Sequence, residues 1–123
     1  MILGKVNARS EAVVRLRVRG PKGIESALDI VVDSGFSSSL TLPAATVTAL
    51  GLVKHSSGNA ILADGTVCRY EIYAAEVEWD GTWRTVLAYG LGGEPLLGMR
   101  LLAGYEFRME VKTGGPVQIT ALP

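Results

Sequence analysis

One aspartate lies where an apolar, strand-forming run gives way to a turn. Residues 28–32 are rich in β-branched side chains, and Asp33, Ser34 and Gly35 follow them directly. The run favours a strand, and the glycine favours a turn that ends it. A carboxylate beside a buried strand is costly unless hydrogen bonds satisfy it or it takes part in chemistry. This feature predicts a strand, a tight turn and an aspartate with a defined role.

Most of the remaining chain is patterned as short strands separated by turn signals. Alternating or continuous apolar runs predict strands over residues 12–19, 25–32, 67–79, 83–89, 106–111 and 117–121. The dipeptides Asp64-Gly65 and Asp80-Gly81 are typical of hairpin turns between such strands. The pattern therefore predicts an all-β fold.

Helical signals are short and few. Residues 43–50 predict one helix, with Thr41 or Leu42 at its cap, and residues 100–104 predict a single helical turn. A chain of 123 residues is long enough to bury one core. We therefore expect residues 1–123 to form a single domain, a small β-barrel with one or two short helices.

Composition excludes several classes of function. Twelve basic and twelve acidic residues balance, which gives no reason to expect nucleic acid or a membrane surface as a partner. Cys68 is the only cysteine, so neither an intrachain disulfide nor a cysteine-based zinc site is expected. The first nine residues lack the apolar core of a signal peptide, and no run is long enough to cross a bilayer. These observations predict a cytoplasmic protein.

Three segments, in this order, resemble the retropepsin-like aspartic proteases, the single-domain relatives of pepsin. They are Val31-Val32-Asp33-Ser34-Gly35, the hairpin around Asp64-Gly65, and Leu96-Leu97-Gly98 before a short helix. The resemblance extends over about residues 13–111, and the run at residues 35–43 is closest to bacterial members. It implies a small closed barrel of the retropepsin-like acid protease type.

The resemblance also implies a reaction. Two carboxylates that share one proton can activate water and protonate a peptide carbonyl, because like charges so close cannot both ionise. The chain has one such loop, so the second carboxylate must come from an identical chain in a homodimer. Asp33, Ser34 and Gly35 are then the catalytic residues, Ser34 as a supporting hydroxyl. The substrate is a peptide, and the reaction needs no metal or organic cofactor.

Further residues acquire roles through the same resemblance. Those implied to contact substrate line an apolar cleft or close over it: Phe36, Ile61, Ala63, Asp64, Gly65 and Leu97. Of these, Ala63, Asp64 and Gly65 form the tip of a flap hairpin that covers an extended peptide. Leu96 and Gly98 are implied to pack behind the catalytic loop and support it.

The sequence departs from the retroviral pattern at two linked positions. Ser37 and Met99 stand where retroviral members carry an acidic residue and an arginine that pair, and Arg100 lies one residue late. An arginine close to Asp33 would keep that carboxylate ionised and prevent proton sharing. A non-catalytic peptide-binding or dimerisation module on the same fold therefore remains an alternative, as does a turn aspartate that only bonds nearby amides.

Other reactive or bulky residues have ordinary interpretations. His55, the only histidine, lies in a polar stretch, and nothing in the sequence places it beside Ser34 to form a Ser-His-Asp triad. Cys68 is interpreted as a small core or surface residue. Trp79 and Trp83 flank a predicted turn, and we expect them to pack across the hairpin rather than to bind substrate.

Overall fold

Six strands of a ten-stranded sheet close into a barrel. The computed structural model describes residues 1–123. The strands are β1 (Ile2–Val6), β2 (Ala12–Arg19), β3 (Glu25–Val32), β4 (Leu40–Thr41), β5 (Val53–Ile61), β6 (Val67–Trp79), β7 (Thr82–Gly90), β8 (Leu96–Leu97), β9 (Tyr105–Met109) and β10 (Pro116–Ala121); the helices are α1 (Ala44–Leu50) and α2 (Met99–Leu102). Strands β6-β7-β4-β8-β3-β2 are neighbours in that order, and β2 pairs with β6 to close the ring. The predicted all-β barrel with two short helices is confirmed.

Alternation of side chains determines which face of β2 is buried. Val14, Leu16 and Val18 point into the core and are almost fully buried. The intervening arginines point outward and form ion pairs with acidic side chains: Arg15 with Asp29, Arg17 with Glu25 and Glu78, and Arg19 with Glu76. Such exposed pairs contribute little stability, so burial of the apolar face accounts for the placement of this strand.

The start of α1 corrects one prediction. Pro43 is the N-cap, rather than Thr41 or Leu42, and Gly51 ends the helix with φ +62°. Thr41 and Leu42 are unavailable as caps because Thr41 belongs to β4 and the Leu42 amide donates to the carbonyl of Tyr89. Both residues therefore continue the sheet up to the proline.

Three strands (β1, β4 and β8), most of β5 and one side-chain contact were not expected. β1 pairs with β2 and β10, and the polar β5 pairs only with β6. The register sets Trp83 opposite Glu78, so Trp79 and Trp83 point to opposite faces of the hairpin and do not pack together. Trp79 is buried against Tyr105, whereas Trp83 lies outside beneath the guanidinium of Arg19, 3.9 Å from its ring centre.

A core of 21 buried residues fills the barrel and the space beneath the helices. Strand β8 runs through this core and is followed directly by α2, whose Leu101 and Leu102 are buried. Neither helix is long and apolar enough to cross a membrane. The core thus fixes β8 and α2, the two elements that lie behind the Asp33 turn.

Candidate active site

The Asp33 carboxylate lies in a turn at the end of β3 and is partly exposed. The Asp33 amide donates to the carbonyl of Leu97 at 2.9 Å, and its own carbonyl accepts from the Phe36 amide at 3.1 Å. The Gly35 amide donates to Oδ1 of Asp33 at 2.9 Å. Ser34 and Gly35 are exposed beside it. The backbone therefore holds one carboxylate oxygen in place and leaves Oδ2 without a hydrogen-bond partner in this chain.

Strand β8 supports the turn from behind. Leu96 and Leu97 pair in parallel with β3, and Leu97 also pairs with Leu40 of β4. Gly98 is buried, and its amide donates to the carbonyl of Ser39 at 3.0 Å. A Cβ at Gly98 would overlap the carbonyl oxygen of Ser38, so this close approach requires glycine.

Leu97 differs from its predicted role. It was expected to line an apolar subsite, but its side chain is completely buried in the core. The reason is its register: Leu97 is the central partner between β3 and β4, and its side chain points into the barrel. Leu97 therefore supports the loop from behind, as Leu96 and Gly98 do, and none of its surface is exposed.

Thr41 fixes the position of β8 through one side-chain hydrogen bond. Its hydroxyl oxygen accepts from the Leu96 amide at 2.9 Å, and the residue is 2% exposed. Because a buried amide without a partner is costly, we expect Thr41→Val to lower the free energy of unfolding by about 1–3 kcal/mol. Urea denaturation measures this loss. Thr41→Ser keeps the acceptor, so an equal loss in both variants would contradict this role.

Three aromatic rings link the Asp33 turn to the β5–β6 hairpin. Phe36 meets the ring of Tyr89 edge-on at 5.8 Å, and Tyr89 stacks on Tyr70 at 5.2 Å. The hydroxyl of Ser38 donates to that of Tyr89 at 2.9 Å. Tyr70 and Tyr89 were not among the predicted site residues. They could have been found from the Asp80-Gly81 turn, because the register that this turn gives to β6 and β7 makes the two tyrosines diagonal neighbours on one face of the sheet.

The outer part of the β5–β6 hairpin, residues 58–70, has the form of a flap. It pairs only with itself, because β7 accompanies β6 only from Glu71 onward. Asp64 at the tip accepts hydrogen bonds from the hydroxyl and amide of Thr66, which lower the pKa of its carboxyl. Gly65 takes the turn with φ +85°. The hairpin tip is therefore a well-formed turn, as the Asp64-Gly65 signal predicts.

The flap tip and the Asp33 turn remain separate in this chain. Ile61 is 77% exposed, and Ala63, Asp64 and Gly65 are exposed with it. No hydrogen bond joins these residues to the turn; the aromatic rings at the base of the flap connect the two parts.

Neither Arg100 nor His55, the two residues that could alter the chemistry of the turn, forms an ion pair or a hydrogen bond with Asp33 or Ser34. Arg100 makes no ion pair, and no cationic side chain of this chain forms a salt bridge with Asp33. His55 is exposed on β5, and its Nδ1 lies 3.2 Å from the hydroxyl of Ser56. The arrangement therefore offers a carboxylate without an ion-pair partner, and His55 does not pair with Ser34.

Comparison with known proteins shows which fold the chain has. No family model and no curated protein sequence matches the chain. The structure is similar to that of EIAV protease in complex with an inhibitor, with TM-score 0.59 and 16% identity over 78% of this chain and 88% of that one. It is also similar to a retropepsin-like aspartic protease from Rickettsia conorii, with TM-score 0.62 and 15% identity over 99% of this chain and 92% of that one. The chain therefore has the retropepsin-like fold, and the bacterial structure covers more of it than the viral one.

Proposed function

We propose that this chain is a homodimeric aspartic endopeptidase with Asp33 as its catalytic residue. The observation that carries the proposal is the Asp33 turn: a partly exposed carboxylate, oriented through Oδ1 and free of any cationic partner, on a retropepsin-like fold. Each chain has only one such turn, so a twofold dimer is needed to bring two carboxylates together. In this proposal residues 1–123 act as one protease domain.

The reaction follows from the paired carboxylates. In the dimer the two Asp33 groups share one proton; the ionised group removes a proton from water, and the resulting hydroxide attacks the peptide carbonyl carbon. The protonated group donates its proton to the carbonyl oxygen, giving a neutral tetrahedral intermediate. Proton transfer to the amide nitrogen then allows the C–N bond to break. Ser34 supports the dyad with its hydroxyl, and Gly35 offers its backbone to the substrate.

The substrate in this proposal is an extended peptide between the turn and the flap. Ala63, Asp64 and Gly65 close over it and add main-chain hydrogen bonds, while Phe36 and Ile61 contact apolar side chains. Closure of the flap excludes water from the dyad. Because the flap pairs only with itself, it can move without disrupting the barrel.

Cleavage is expected to depend on protein concentration. We predict that peptides in a mixed library, incubated at mildly acidic to neutral pH and followed by mass spectrometry, are cut at defined sites. Activity per subunit should rise with protein concentration, because only the dimer has two carboxylates. Light scattering on the same samples gives the dimer fraction. A dimer that binds peptides and cuts none would favour the non-catalytic module, and constant activity per subunit in a monomer would contradict the shared site.

A further inference from the structure

A polar groove of about 560 Å³ lies beside the segment that follows the Asp33 turn. Three segments form it: the serines that follow Phe36, residues 84–89 of β7 and the start of α2. Its lining residues are Ser37, Ser38, Ser39, Arg84, Thr85, Val86, Leu87, Tyr89 and Arg100. We call this the arginine groove.

The two arginines of the groove lack the carboxylate partners that the arginines of β2 have. Arg84 and Arg100 form no ion pair and no side-chain hydrogen bond, whereas every arginine of β2 pairs with a carboxylate. No acidic residue lines the groove, and its remaining polar groups are hydroxyls and backbone. Two positive charges without a counter-charge, next to hydroxyl donors, favour an anion. Guanidinium groups match the geometry of a carboxylate particularly well.

The groove lies within reach of a peptide bound at the turn. Ser37 follows Asp33 by four residues, a chain length that spans at most about 14 Å. The Arg100 amide donates to the carbonyl of Ser38, and the groove residue Tyr89 contacts Phe36, so both sides of the groove are tied to the turn. An extended peptide advances about 3.3 Å per residue and covers this distance in about four residues.

We infer that the arginine groove binds an aspartate or glutamate side chain of the substrate, within about four residues of the scissile bond. The inference rests on the proposed function for its ligand, a peptide that lies along the Asp33 turn. A carboxylate of a partner subunit or a free phosphate ion could bind two arginines in the same way. The experiment below distinguishes these two ligands from a substrate side chain.

The test compares peptides that differ by one charge. Each peptide of the first set has a central apolar pair and a single glutamate, placed at one of the four positions on either side of that pair. The second set has glutamine in place of the glutamate. Binding to Asp33→Asn is measured by fluorescence anisotropy, and cleavage by the wild-type protein is measured in parallel. We expect glutamate to bind about fivefold tighter than glutamine at one position, with the preference shrinking as salt is added.

Variants assign the preference to the groove. In Asp33→Asn, adding Arg84→Gln or Arg100→Gln should bring the glutamate-to-glutamine ratio close to one, whereas Arg108→Gln should leave it unchanged. Arg108 is a suitable control because it is exposed, unpaired and located on β9. A ratio that survives loss of both groove arginines would overturn the inference.

The remaining outcomes separate this inference from the proposed function. Equal binding of both peptide sets at every position would overturn the groove assignment while leaving cleavage intact. A retained charge preference without cleavage by the wild-type protein would support the groove and contradict the peptidase. Phosphate binding that requires both arginines, without any peptide preference, would assign the groove to a free anion. Loss of the dimer in Arg84→Gln or Arg100→Gln, without a peptide preference in the parent, would assign it to the partner subunit.

Discussion

Asp33→Asn is expected to lower kcat/KM for every cleaved peptide by at least about a thousandfold. Asparagine has the shape of aspartate, but its amide neither takes a proton from water nor shares one with a second carboxylate. Its side-chain oxygen can still accept the hydrogen bond from the Gly35 amide that fixes the turn. The variant should therefore fold and dimerise like the wild-type protein, and the loss should appear in catalysis alone.

Mixing experiments extend this prediction to the second carboxylate. If subunits exchange freely, an equal mixture of wild-type protein and Asp33→Asn contains about one quarter wild-type dimers, so activity should fall to about a quarter. An enzyme that worked as a monomer would keep about half. Light scattering confirms that the subunits remain dimeric.

Asp29→Asn is the matched control. Asp29 lies four residues earlier, on β3, is exposed and pairs with Arg15. Losing such a pair should change stability by less than about 1 kcal/mol and leave cleavage unaltered. If Asp33→Asn cleaved peptides as fast as Asp29→Asn, Asp33 would have no catalytic role.

The strands with clear local patterns could be predicted from sequence. The bounds of β2, β3 and β6 agree with those expected, because alternation or a continuous apolar run records burial residue by residue. The turn at Asp80-Gly81 also determines which residues of β6 and β7 pair with each other. In each case the structure follows from neighbours along the chain.

The unpredicted parts depend on partners far away in sequence. β1 is a strand because β2 and β10 flank it, and β5 is a polar strand whose only partner is β6. Leu97 was expected to face the cleft because its place between β3 and β4 cannot be read from an apolar pair followed by glycine. Long-range pairing overrides local pattern at these positions.

The candidate site likewise has one part that could be predicted from sequence and other parts that could not. The turn at Asp33 is local, and its predicted position after a strand agrees with the structure. The arginine groove combines three distant segments, and the partners of Arg84 and Arg100 could not be judged until the fold was known. A second carboxylate belongs to another chain, so only the need for it can be read from the sequence.

Gly98→Ala is expected to have the largest effect on stability. A Cβ there would overlap the carbonyl oxygen of Ser38 and lie 2.7 Å from that of Phe36. Both obstacles are backbone atoms of the segment that carries the turn, so neither can rotate away. To make room, α2 must separate from this segment, which breaks the hydrogen bonds from Gly98 to Ser39 and from Met99 to Phe36.

The expected loss is about 3 kcal/mol or more in the free energy of unfolding, measured by urea denaturation, with a melting temperature lowered by roughly 10 °C. Gly92→Ala provides the control, because no atom lies within 4 Å of its Cβ position and its backbone is not left-handed. That variant should remain within about 0.5 kcal/mol of the wild-type protein. Any folded fraction of Gly98→Ala should cleave poorly, since the same displacement moves the Leu97 carbonyl that fixes the Asp33 amide. If Gly98→Ala were as stable as Gly92→Ala, close packing at Gly98 could not be what positions the turn.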